Sequence, residues 1–415
     1  MASTSPRPPL MALDEALSRL LAAATPNVGI ESVSTFEADG RVLAQDVVSA
    51  LTVPPRDNSS MDGYAVRVAD CTAPGAVLRV AQRIPAGTVG TPLAAGTAAR
   101  IFTGAQIPEG ADAVVMQEDT SALPEEASLG SVRIEIAPAA GQWIRRAGED
   151  VAADDVVLSK GERLTPAGLG LAASVGLAQL QVSKRPRVAL LSTGDELVMP
   201  GEVSPEAMKP GSIYNSNRFF MRALLQRLGC EVNDLGIVPD RRDATIEALR
   251  TASLSNDLII TTGGVSVGEE DHIKAAVEHL GQLDLWSLSM KPGKPFAYGR
   301  IGNAHLTGLP GNPVSSFLTF LLLVRPFLLT LQGALRVVPQ AIPMRADFDW
   351  PRADRRREFL RARRNAAGGL DVFANQSSGV LTSTVWGDGV IDTPAGQPFK
   401  AGDTVQFIPF ALLLA

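Results

Sequence analysis

The feature that most limits the fold is a change of hydrophobic periodicity near residue 184. From there, short apolar runs alternate with helical spacings: 187–191 reads as a strand, 217–228 as a helix, 231–238 as a strand, 243–252 as a helix, 257–261 as a strand ending in Gly263 and Gly264, and 270–280 as a helix. Strands that are apolar throughout are buried on both faces. The expectation for 184–335 is therefore a three-layer α/β/α domain with a mostly parallel sheet. Sheets of this kind bind ligands beyond the carboxyl ends of their strands.

At 415 residues the chain exceeds what one core serves, so several domains are expected. The apolar side chains Leu10, Leu13, Leu17, Leu20 and Leu21 open the chain as an amphipathic helix. Thr165-Pro166 starts a second helix, because threonine caps and proline suits the first helical position. Both helices are assigned to a discontinuous connecting domain, 1–51 and 148–183. Between its halves, short strand-like runs at 64–66, 76–80, 98–103, 113–116 and 132–136, split by Gly and Pro, predict an inserted all-β domain over 52–147. Beyond Pro339 the short strands return, and a second small β domain is expected over 336–415.

Composition narrows the function. A net charge of −6 gives no general attraction to nucleic acid. Two cysteines, Cys71 and Cys230, are too few and too far apart for a disulfide framework or a zinc site, which fits a reducing cytoplasm. The apolar stretch 317–331 is broken by Arg325 and Pro326 and is too short to span a bilayer uninterrupted, so it reads as a buried helix and no membrane is expected. His272, His279 and His305 lie in no paired serine or cysteine motif, and no hydrolase triad is seen.

Three strand ends carry unusual loops: STGDEL at 192–197, TTGGVSVGEED at 261–271 and TGLPGNPVSS at 307–316. Glycine lets backbone N–H groups approach an anion, and the following helix N-terminus adds partial positive charge. A single glycine pair is more simply a tight turn; three such loops are expected to converge on one cleft for a phosphate-bearing molecule. Gly263 and Gly268 have the spacing of a Walker A motif, but Glu269 and Glu270 stand where it needs Lys and Ser or Thr, which excludes a nucleoside triphosphatase loop.

Acids sit beside these loops: Asp195, Glu196, Asp240 and Asp271. They would repel a phosphate unless a hard cation such as magnesium bridged them. Helix capping accounts equally well for Asp240 and Asp271 taken singly. KPGKP at 291–295 holds Lys291 and Lys294 in a segment stiffened by proline, a placement suited to anion binding. The arginines 352, 355, 356, 357, 361, 363 and 364 read as a solvated face without an aromatic platform, with one or two serving an anion. DNSSMDGY at 57–64 reads, by itself, as a polar turn.

Taken together, DNSSMDGYAVR (57–67), RIFTGAQIPEGADAVVMQE (100–118), RRAGED (145–150), STGDEL, NSNR (215–218), TTGGVSVGEED, MKPGKPFAYG (290–299) and TGLPGNPVSS resemble one family. It is that of the molybdopterin molybdenumtransferases, the metal-insertion enzymes of molybdenum cofactor synthesis, related to the C-terminal domain of gephyrin. The resemblance runs from the first helix to about Pro326 and is weak beyond Pro339.

It implies an elongated homodimer of four-domain subunits, with an elongated connecting α+β domain and a C-terminal β-barrel. It also implies a substrate, adenylylated molybdopterin, whose pyrophosphate is cleaved with Mg²⁺ to release AMP as molybdate is captured. By motif position the implied catalytic acids are Asp62, Glu196, Asp240 and Asp271, the last three at the metal, with Asp62 supplied by the partner subunit. Thr103, Asp150, Thr193, Gly194, Gly263, Gly264, Ser266, Gly268, Lys291, Lys294, Pro310, Gly311, Asn312 and Pro313 are the implied substrate contacts, joined by Arg361 and Ser378.

Two departures stand out: Ser287 occupies a position where some members carry lysine, and NQSSG at 375–379 only loosely follows the family's glycine-serine loop. Two other readings share these motifs. One is a scaffold, as gephyrin is, which uses an extra domain and linker this chain lacks. The other is the upstream adenylyltransferase, which lacks the two β domains and is otherwise a candidate partner.

Overall fold

The computed structural model describes residues 10–26, 28–126, 128–264 and 272–414. It is mixed α/β with several sheets. The central sheet runs Glu231–Val238, Arg187–Thr193, Leu258–Thr262, Ala304–Leu309, Pro295–Ile301, Gln282–Ser287. The first four strands are mutually parallel, Pro295–Ile301 runs antiparallel to them, and Gln282–Ser287 pairs antiparallel with Pro295–Ile301.

Burial explains why the strands are continuously apolar. Val188 and Leu190 join a core with the helices Asn217–Arg227 and Arg325–Leu331, while Ala189 and Leu191 face Arg242–Ser255 and His272–Leu280. Alternate side chains thus serve opposite faces, and both faces are covered by helices. The apolar run beginning at Pro313 is helical to Leu331, with a π-helical turn at Phe320–Val324, and is 89% buried. Arg325 within it is buried, donating to the Val337 and Leu412 carbonyls.

One expectation changes. The first helix, Leu13–Ala23, does not pack in the connecting unit. Leu13, Ala16 and Leu20 enter the core formed with Met221, Phe327 and Leu331, and Met11 exchanges backbone hydrogen bonds with Ser287 and Ser289. Its amphipathic stripe predicted burial but not against which surface. The connecting unit keeps its own core of Leu43, Leu164, Ala172 and Val182, beneath the pairs Ile30–Ser34 with Gln179–Ser183 and Val47–Val48 with Val156–Leu158. Its helix Pro166–Ser174 starts as expected, with Thr165 Oγ1 accepting from Gly168 N.

A second six-stranded sheet, between Gly63 and Ile134, runs Ala113–Met116, Gly63–Val66, Thr97–Ile101, Ala76–Ile84, Ser131–Ile134, Thr120–Leu123. It is buried on both faces by separate apolar clusters. In the C-terminal region Ile342–Arg345, Thr404–Pro409, Gly389–Thr393, Arg357–Arg364 and Leu370–Val372 pair in succession, and a bridge from Leu370 to Ala346 returns the path to its first strand. Met290–Lys291 joins this sheet through Arg357–Glu358, so the KPGKP segment belongs physically to both units.

Candidate functional site

The three glycine-rich loops leave adjacent parallel strands, Arg187–Thr193, Leu258–Thr262 and Ala304–Leu309. They are tied together beyond the sheet: Gly263 N donates to Leu309 O at 3.0 Å, and Asn217 Nδ2 of NSNR donates to Gly311 O at 2.7 Å. Ser192 and Thr262 hydroxyls meet at 2.9 Å beneath the loops. The glycines are required where the loops abut. Gly264 has φ +66°, and a Cβ there would lie 2.6 Å from Ile273 Cγ1 and 2.9 Å from Thr193 Oγ1. Neither the dihedral nor the space admits a side chain.

Glu196 is exposed, and its carboxylate folds back over Gly194, where an added Cβ would meet Glu196 Oε2 at 2.5 Å. Asp240 follows the neighbouring strand, whose last residue Val238 pairs with Thr193. Glu196 and Asp240 therefore leave the same sheet edge. Asp240 does not cap: the helix Arg242–Ser255 has Arg241 at its N-cap position with no side-chain bond, and Asp243 is the acid in its first turn. Asp271, Ser266 and Gly268 lie outside the described residues. Among those described, no three His, Cys, Asp or Glu side chains gather as a metal cluster. That does not conflict with Mg²⁺, which takes one or two carboxylates together with substrate phosphates and water.

Pro310 is buried, whereas Gly311 and Asn312 are exposed at the start of the helix Pro313–Thr319. One N–H of that first turn, Val314 N, is taken by Ser378 O at 3.0 Å. The C-terminal region thus reaches the third loop through a backbone carbonyl. Arg361 is 1% exposed; its guanidinium donates to Phe359 O, Ser377 O and Ser383 Oγ, and its backbone N–H to Gln376 Oε1. Burial pushes its pKa down to about 10. It holds the 376–378 loop and in this conformation presents no donor to solvent.

The two lysines of KPGKP differ. Lys291 Nζ is 3.0 Å from Glu358 Oε1 and 3.4 Å from Asp354 Oδ2. Glu358 is 1% exposed and also accepts from Trp350 Nε1 at 3.1 Å and Asp354 N at 2.9 Å. Asp354 is held well below the usual carboxylate range, first by its hydrogen bond from Arg356. Lys294 is exposed and makes no ion pair among the described residues, so it is the uncompensated cation of the segment.

The arginine-rich stretch is a solvated face only in part: Arg352, Arg355, Arg363 and Arg364 are exposed, whereas Arg356 and Arg357 are half-buried and Arg361 is buried. Arg356 pairs with Asp354, Arg357 with Asp392 and Asp14, and Arg364 with Asp388. It also has an aromatic platform that the sequence reading lacked, since Arg363 stacks over Trp386 at 4.4 Å.

In the small β unit the DNSSMDGY turn is organised around its two aspartates. Asp57 accepts from Ala147 N at 2.8 Å and Arg146 Nη1 at 2.6 Å, locking RRAGED beside the turn. Asp62 Oδ1 accepts from both the backbone N–H and the hydroxyl of Thr103, each at 2.8 Å. Those two bonds, with the Arg100 charge, lower the pKa of this exposed carboxylate. Asp150 is exposed, anchored by its backbone N–H to Val53 O. Sequence reasoning missed Asp234, which fixes Arg218 of NSNR through Oδ1 at 2.8 Å and Oδ2 at 3.0 Å, and missed Asp354 and Glu358. An unpaired arginine in an otherwise ordered motif was the only available signal for Asp234.

Comparison with known proteins agrees along the chain. Residues 11–176 match the family "MoeA N-terminal region (domain I and II)", 189–330 the "Probable molybdopterin binding domain", and 343–410 the "MoeA C-terminal region (domain IV)". The molybdopterin molybdenumtransferase of Haemophilus influenzae is 40% identical over 413 residues, covering 98% of this chain and 100% of that protein. Molybdopterin molybdenumtransferase 2 of Mycobacterium tuberculosis is 37% identical, covering 88% and 90%. The crystal structure of the molybdopterin biosynthesis moeA protein of Pyrococcus horikoshii OT3 superposes with a TM-score of 0.82 at 29% identity, covering 96% of this chain and 99% of that one. The loops, the ordered motifs and these full-length similarities lead to one conclusion: the chain belongs to the molybdopterin molybdenumtransferase family.

Proposed function

We propose that the protein inserts molybdenum into adenylylated molybdopterin, cleaving the pyrophosphate in a Mg²⁺-dependent reaction that releases AMP. The observation that carries this reading is the cross-bonding of the three glycine-rich loops at one sheet edge, beside exposed Glu196. Cleaving a phosphoanhydride calls for positioning and charge neutralisation more than covalent catalysis. Loop N–H groups and Lys294 bind and orient the phosphates and the molybdate dianion, while Lys291, neutralised by Glu358 and Asp354, shapes the segment that carries Lys294. Glu196 and Asp240, with Asp271, would hold Mg²⁺. When bound, that ion neutralises charge developing on the phosphate oxygens.

The reading extends to a homodimer in which Asp62 and Thr103 of one subunit face the α/β cleft of the other. An exposed apolar strip supports a second copy: Leu335, Val338, Ile342 and Leu412 are 68, 53, 44 and 42% exposed and border a cleft with Arg336. The four-unit architecture, with a closed C-terminal barrel, a cytoplasmic location and receipt of substrate from an upstream adenylyltransferase, belongs to the same reading.

The test uses Asp62→Asn with adenylylated molybdopterin, Mg²⁺ and molybdate. The substitution preserves size but removes the ionised carboxylate. AMP release is expected to fall at least tenfold with folding unchanged, a loss typical of one electrostatic group at a phosphoryl site. A wild-type rate would remove Asp62 from the reaction.

A further inference from the structure

The small β unit carries a cationic row that forms no ion pair among the described residues. In the strands Gly63–Val66, Thr97–Ile101 and Ala76–Ile84, Tyr64 is register-paired with Arg100 and Arg100 with Arg83, so the three share one face. Like charges on paired positions repel. Here the Phe102 ring lies between them, with the Arg83 guanidinium 4.5 Å and the Arg100 guanidinium 4.8 Å from its centroid, and Arg100 also stands 5.2 Å from the Tyr64 ring. The aromatic faces orient the two cations, and the edge of Arg83 stays free of hydrogen bonds among the described residues.

Neither arginine forms an ion pair among the described residues, although the Arg100 charge acts on the nearby Asp62 carboxylate. The Arg100 side chain donates only to Gly63 O and Gln117 Oε1, both neutral, and the exposed Arg83 side chain has no hydrogen bond there. The row ends beside Thr103 and Asp62, and Gln117 N in turn donates to Asp62 O. Two oriented guanidinium groups, Arg83 with no side-chain hydrogen bond among the described residues and Arg100 with each terminal nitrogen donating only once, have the chemistry of a receptor for a tetrahedral oxyanion.

We propose that Arg83 and Arg100, held by Phe102, form an oxyanion subsite on the small β unit. The inference rests on the proposed reaction for its biological ligand: either the phosphate of the nucleotide portion or molybdate itself supplies the oxyanion. Tetrahedral geometry and double negative charge are common to both. Asp62 then sets the limit of the subsite, since its carboxylate repels an anion that moves past Arg100.

Equilibrium dialysis of the full-length protein against molybdate, inorganic phosphate and AMP, each alone at fixed ionic strength, tests the subsite without turnover. Arg83→Ala is expected to weaken at least one of the three by roughly three- to tenfold, the range for one charge-assisted contact at a solvent-accessible site. Arg83→Lys is expected to recover part of the loss. Because Arg83 is exposed and its side chain makes no hydrogen bond among the described residues, the fold survives both changes, which circular dichroism verifies. Loss confined to molybdate assigns the subsite to the metal oxyanion; loss of phosphate and AMP assigns it to the nucleotide phosphate. No binding to the wild type, or equal binding by wild type and Arg83→Ala, overturns the subsite. Either result leaves the AMP-release test of Asp62 standing on its own, so failure of the subsite and failure of the proposed reaction are distinguishable.

Discussion

Removal of the Glu358 carboxylate is the perturbation whose outcome follows most directly from the geometry. Glu358 is 1% exposed and joins Lys291, Trp350 and the Asp354 backbone in one buried knot beneath KPGKP. Glu358→Ala leaves the Trp350 indole N–H and the Asp354 N–H without acceptors, at roughly 1–3 kcal/mol each. The Lys291 contact adds less, because that side chain is 39% exposed and solvent screens the pair to at most about 1 kcal/mol. The total is about 2–7 kcal/mol. Glu358→Gln keeps one carbonyl acceptor, so it should cost about 1–2 kcal/mol. Urea unfolding followed by tryptophan fluorescence reads both, since Trp350 and Trp386 report on the C-terminal region. A loss below about 1 kcal/mol for the alanine variant would refute the argument, as would a glutamine variant no milder than alanine.

Three further outcomes follow. Lys294→Ala should reduce AMP release severalfold with unchanged stability, because Lys294 is exposed and unpaired among the described residues; an effect on stability instead would show that its charge is structural. Gly63→Ala should disrupt the small β sheet, since the new Cβ would lie 1.9 Å from Val115 O; a loss of more than about 3 kcal/mol is expected, read as faster hydrogen exchange across that sheet. His305 is buried against the Tyr298 hydroxyl at 2.9 Å, and burial pushes its pKa from 6.5 down to about 4. The unfolded chain therefore binds the proton first, so stability is lost as pH falls from about 6.5 toward 4, by at most about 3 kcal/mol. His305→Asn should flatten that limb in unfolding curves measured between pH 7 and 4.5.

The central α/β unit was legible because its signals are local. Strand runs apolar at every position required two covered faces, and Thr165-Pro166 specified a helix start by capping chemistry alone. What was not legible depends on contacts between distant segments. The first helix advertised an apolar stripe but could not name the Phe327 and Leu331 surface that receives it. The two-residue pairing of Met290–Lys291 with Arg357–Glu358 is too short to leave a pattern, and it turns Lys291 from a free cation into a paired one. Arg361, set among arginines read as a solvated face, was expected to contact the substrate. The strand Arg357–Arg364 is instead buried without alternation from Glu358 to Ala362, and the Phe359 and Ser377 carbonyls and the Ser383 hydroxyl, rather than a carboxylate, receive the guanidinium. Asp62 read as a turn residue because its partner Thr103 is forty-one positions away.

The central claim is metal insertion coupled to release of AMP. Purified protein incubated with adenylylated molybdopterin, Mg²⁺ and molybdate should release AMP in proportion to the molybdenum retained in the pterin product, and omission of molybdate should suppress both. AMP release without molybdenum in the product, or formation of adenylylated molybdopterin from ATP by this chain, would contradict the account.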